Sequence, residues 1–149
     1  MSKSTFETEK ALETVFDNLA SLILAAILFF TGLGLSNPLS FTVPTVASYL
    51  TLGTLLFQFI AGLLVVAAFT IAYARKPLKT SIAGLVRDTR AVAIAGALWT
   101  IGMLLVGLGN ANGFTLVGII ANLAGYALLL ASLVLSGTLG AHIASSKTV

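Results

Sequence analysis

Two long stretches of the chain, Asn18 to Ala74 and Ala91 to Ser146, contain no charged residue. Between them lies RKPLKTSIAGLVRDTR, Arg75 to Arg90, in which Arg75, Lys76, Lys79, Arg87 and Arg90 face a single acid, Asp88. A helix rises 1.5 Å per residue and a bilayer's hydrocarbon core is ~30 Å thick, so about 20 apolar residues cross it. Each uncharged tract therefore holds two crossings and a turn. The pattern predicts an all-α integral membrane protein, a four-transmembrane-helix bundle built as two tandem helical hairpins in one domain, 1–149.

The stop signals set the expected boundaries. Residues 1–17 read as an amphipathic cytoplasmic helix, with Phe6, Leu12, Val15 and Phe16 on one broad face. The first span is expected over 19–35, ending at Gly32-Leu33-Gly34 with Asn37-Pro38 beyond. The second is expected over 45–75, opening behind Pro44 in its first turn and closing before Pro77. Tyr49 and Tyr73 stand near its two ends as interfacial anchors. The third and fourth spans are expected over 92–109 and 115–143, joined by the Asn110-Ala111-Asn112-Gly113 turn. Residues 76–91 form the basic loop between the hairpins.

Composition strengthens this reading. The 149 residues are 58% hydrophobic and 9% charged, with a mean hydropathy of +1.05. A soluble domain carries about 25% charge, and one of this size leaves much of its area in water. Every charge lies in residues 1–17, in 75–90 or at Lys147. With four spans, all eight Lys and Arg fall on one side of the membrane, which the positive-inside rule places in the cytoplasm with both termini. The cell membrane is the expected location. The net charge of +3 does not point to nucleic acid, because the connector has no aromatic residue to stack a base. Anionic lipid headgroups account for Arg75, Lys76, Lys79, Arg87 and Arg90 instead.

A shift of 75 residues partly overlays the two halves. Glu13-Thr14 meets Asp88-Thr89, Gly32-Leu33-Gly34 meets Gly107-Leu108-Gly109, and Asn37 meets Asn112. Both halves enter from the same side, so the repeat is parallel, with the same helix stop used twice.

The polar residues within the spans have two readings each. Gln58, with Thr54 and Gly62 one turn away, is a ligand or pore contact, or else an interhelical hydrogen bond. Asn122, between Gly118 and Gly125, suits a hydrogen bond across a close helix contact. Ser132, Ser136, Gly140 and Ala144 form a small-residue stripe that admits another helix of this chain or of a partner. His142, the single histidine, is a candidate axial ligand for a haem or pigment, against the plainer reading of an interfacial side chain at a helix C-terminus. Trp99, mid-span, reads as a packing anchor or lipid-facing bulk. Arg87 and Arg90 are placed for local ion pairs with Asp88.

Function is read from which chemistry is missing. There is no cysteine, one histidine, and no acid within any span. No catalytic residue, metal site or cofactor is assigned, and no enzyme is expected. A proton- or sodium-coupled carrier needs an ionisable group near the midplane. The remaining reading is a non-catalytic accessory subunit of a larger integral membrane complex, energy-transducing or similar, whose partners are lipids and other membrane subunits. A self-assembling membrane or envelope protein is one alternative; a small neutral-pore channel or passive transporter is the other.

Overall fold

A computed structural model describes residues 3–42 and 52–145, and among these the regular structure is helical throughout. The elements are α1 (Lys3–Thr42), α2 (Leu52–Ala74), α3 (Leu78–Arg87), α4 (Thr89–Asn112) and α5 (Leu116–Ser145). Four of them, α1, α2, α4 and α5, contain stretches long and apolar enough to cross a membrane. Residues 43–51, with Pro44, the expected second-span start at Thr45 and Tyr49, lie outside the described residues, as does Lys147.

Three boundaries differ from expectation. The first concerns α1, which is a single helix of 40 residues that passes from the polar N-terminal segment through the apolar one. It continues beyond Gly32-Leu33-Gly34 and through Asn37 and Pro38 to Thr42. The glycine pair is therefore not a stop. Gly32 lies so close to α2 that a Cβ there would sit 2.6 Å from Val65 Cγ2 and 2.9 Å from the Ala61 carbonyl oxygen. Its lack of a side chain serves a helix contact. Of the expected N-terminal apolar face, Leu12 is exposed, and Phe6, Val15 and Phe16 lie outside the residues whose side chains are described.

The second copy of the motif behaves in the same way. α4 runs on past Gly107-Leu108-Gly109 to Asn112. Its end is set by Gly113, whose φ of +60° belongs to the left-handed region that glycine enters most readily. Thr115 then caps α5: its hydroxyl accepts from the Gly118 N–H at 3.2 Å.

The third difference is the connector, expected as a loop over 76–91, which contains the ten-residue helix α3. Leu78, Ser81 and Leu85 recur at helical spacing on its inner side, and Arg87 in its last turn suits the negative end of the helix dipole. Pro77 precedes it and Asp88 joins it to α4, with the Asp88 N–H bonded to the Gly84 carbonyl and the Asp88 carbonyl accepting from Val92.

The helices α2 and α4 form the interior. Of the apolar stretches, those of α2 and α4 are 44% buried, against 22% for α1 and α5, which therefore lie outside them. The most extensive helix contact is α4 with α5, followed by α1 with α2, then α2 with α5 and with α4. Val65, Trp99 and Met103 form the buried centre, with Phe29, Leu33, Phe69, Leu129 and Leu133 packed around them. α3 lies across one end of the bundle, where Gly84 receives the side chain of Ile143 from α5.

Candidate functional site

The buried polar groups fall into separate clusters. The first joins three helices. Trp99 of α4 donates its indole N–H to the Ser36 hydroxyl of α1 at 3.1 Å. Gln58 of α2 donates its amide to the Ser36 backbone carbonyl at 3.4 Å. Gln58 is only 2% exposed, and its Oε1 has no partner. Gly62, one turn along α2, provides room for the indole, 2.9 Å from where its Cβ would stand. Gln58 thus faces the protein, and Trp99 is a buried anchor rather than lipid-facing bulk. The Thr54 side chain lies outside those described.

The second cluster explains most of the small-residue stripe. The Ser132 hydroxyl donates to the Ala95 carbonyl of α4 at 2.8 Å. The Thr70 hydroxyl of α2 donates to its own helix at Val66 O, 2.8 Å, and also meets the Ser136 carbonyl at 3.3 Å. Ser136 donates to the Ser132 carbonyl. Gly140 lets α5 approach α2 until a Cβ would lie 2.7 Å from the Thr70 carbonyl. These three stripe positions are filled from within the chain. Ala144, one turn further, is exposed.

Asn122 stands apart from both clusters. It packs over Gly109, where a Cβ would meet its amide carbon at 2.5 Å, and its Oδ1 is buried without a partner. The close helix contact is present; the hydrogen bond expected of that oxygen is not.

The basic residues gather at the end of the bundle where α3 lies. Arg75 adopts φ +51°, a left-handed conformation just past the end of α2 that glycine usually occupies. This residue turns the chain toward Pro77 and α3. The Ser21 hydroxyl of α1 donates to the Lys76 carbonyl at 3.2 Å, tying the turn to the first helix. Arg75, Lys79, Arg87 and Arg90 are exposed and Lys76 is half-buried. α3 also exposes Ile82 and Val86 between Lys79 and Arg87, the mixture expected of a helix lying in a membrane interface. His142 is exposed in the last turn of α5, its carbonyl accepting from Ser145. Among the described residues, no three of His, Cys, Asp and Glu come close enough to hold a metal ion.

The outward surface of the long helices is mainly apolar, with Thr31 and Thr138 among its exposed polar side chains. On α1, Leu22, Ile23, Ile27 and Phe30 are exposed; on α5, Ile120, Leu123, Tyr126, Leu130 and Val134 are. Open grooves run between α1 and α2 and between α2 and α5, sharing Phe69 and Tyr73 as the ridge that divides them. Ser36, Ser21 and the paired role of Trp99 were missed by sequence reasoning, since a serine in an apolar helix carries no signal of which face it is on. Comparison with protein-family models, with curated proteins and with solved structures found no match.

Proposed function

We propose that this chain is a non-catalytic accessory subunit of a larger integral membrane complex, energy-transducing or similar. In this reading α1, α2, α4 and α5 cross the cell membrane as two tandem hairpins forming one membrane domain. Both termini and the basic α3 segment stay in the cytoplasm.

One observation carries the reading. Most buried polar groups between the long helices bond to the chain's own helices, while the outward faces of α1 and α5 are mainly apolar, with no exposed charge between Leu19 and Ser36 of α1 or along α5. A protein that acts by packing needs that division: internal polar bonds worth about 0.6–1.7 kcal/mol each, and an outer surface that lipid or other subunits cover. The exposed cations at the α3 end suit anionic headgroups.

The same outer faces suit a second copy, so self-assembly as a membrane or envelope protein is the second reading. A neutral pore is less well supported, because Gln58, Ser132 and Ser136 are buried, the first two bonded to a neighbouring helix and Ser136 to its own. Solubilisation in a gentle detergent followed by native mass spectrometry separates these readings. Unrelated membrane proteins in fixed stoichiometry are expected. A chain that leaves the membrane solely as a monomer counts against the subunit reading, and a pure homo-oligomer favours the second.

A further inference from the structure

The groove between α1 and α2 has a floor of small residues, Ala25 and Ala26 from α1 and Ala68 and Ala72 from α2. Its walls are aromatic. Phe29 meets Phe30 edge-on at 5.5 Å and Phe69 at 5.4 Å, and Phe69 stacks with Tyr73 at 6.3 Å. The slot holds about 300 Å³ and is lined almost wholly by carbon. From Leu22 to Phe30 it follows roughly 12 Å of helix.

Leu22 and Ala72 also border a neighbouring cavity of about 390 Å³, whose other walls are Ser21, Ile71 and Arg75. The apolar slot therefore adjoins, at the basic end of the bundle, a cavity walled by the exposed Arg75. The left-handed turn that ends α2 holds Arg75 there. An aliphatic tail with an anionic head matches the order of surfaces: hydrocarbon along the alanines, then hydroxyl and cation.

We propose that this cleft binds one anionic glycerophospholipid of the cytoplasmic leaflet, an acyl chain lying along Ala26 and Ala72 and the phosphate meeting Arg75. The inference rests on the membrane-spanning reading above. Arg75 favours the lipid over an uncharged partner helix, since a planar guanidinium pairs with phosphate in two parallel hydrogen bonds.

The isolated chain, placed in nanodiscs of equal phosphatidylglycerol and phosphatidylcholine, is released into the mass spectrometer and its retained lipids are counted. One retained lipid is expected, with phosphatidylglycerol favoured about five-fold, the effect of one cation near a membrane surface. Arg75→Gln should keep a lipid and lose the preference. Ala26→Phe, at an exposed floor position, should lose retention of both. Ala72→Leu fills less of the slot and should lose part of it. Unchanged retention in Ala72→Leu overturns the proposal even where Ala26→Phe does not fold, as does an undiminished preference in Arg75→Gln. Disulfide-linked pairs formed by Ala26→Cys in the bilayer would instead put a second copy in the groove and also overturn it. The measurement needs no partner protein, so a negative result leaves the subunit reading intact, and a missing complex leaves this result standing.

Discussion

Gly102 of α4 and Gly125 of α5 face each other at backbone contact. A Cβ on Gly102 would lie 2.9 Å from the Gly125 carbonyl oxygen, and a Cβ on Gly125 would lie 2.7 Å from that of Gly102. In lipid, where apolar burial does not drive helices together, such close backbone approach is a main source of association. Gly125→Val should therefore cost about 1–3 kcal/mol, as overpacking does. Denaturation with increasing SDS, followed by circular dichroism, measures it. Gly34→Ala is the control: nothing lies within 4 Å of its Cβ position, and replacing glycine in a helix is worth up to about 1 kcal/mol in the stabilising direction. Equal losses in the two variants would show that the α4–α5 contact is not set by these glycines.

Gln58 presents opposing terms of similar size. Its hydrogen bond to Ser36 is long, at 3.4 Å, and such bonds contribute about 0.6 kcal/mol on average. Its unpartnered Oε1 costs about 1–3 kcal/mol. The second term wins, so Gln58→Leu should be neutral or stabilising in the same SDS assay. A loss above about 2 kcal/mol would mean that Oε1 is bonded in the membrane. Gln58→Glu, nearly identical in shape, should destabilise by about 2.5–3.5 kcal/mol, the insertion cost of a charge at membrane depth.

The Trp99–Ser36 bond links helices 63 positions apart in sequence. A double-mutant cycle with Trp99→Phe and Ser36→Ala should give a coupling of about 0.6–1.7 kcal/mol. Additive losses would assign the effect of Trp99 to its bulk alone.

Topology is tested most directly on a chain that has no native cysteine. Phe114→Cys lies in the fully exposed α4–α5 turn, and Lys79→Cys on the exposed side of α3. In intact cells a membrane-impermeant thiol reagent should modify the first and spare the second, and permeabilisation should expose both. Labelling of Lys79→Cys alone would invert the proposed orientation.

The sequence by itself determined the class of structure. Long uncharged apolar runs over 18–74 and 91–146 point to long helices, because a chain that crosses a bilayer must satisfy its own backbone, and the described residues there form four helices long and apolar enough to cross one. That rule is local, so spans three and four were legible to within a few residues, as was the turn at Asn112-Gly113. The N-terminal helix and the breaks were read less well. Glycine in an apolar run signals a stop and a close contact equally, and only the neighbouring helix decides. At Gly32 that neighbour is Val65, and at Gly109 it is Asn122. The tertiary structure also decided where the polar side chains point. Ser132, Ser136 and Gly140 face this chain's own α2 and α4, while Ala144, on the same stripe, is exposed. Helical periodicity places residues on a common face, but the identity of what covers that face belongs to the packing. The groove between α1 and α2 is a product of packing too, since it exists only where the two helices fail to close over their alanines.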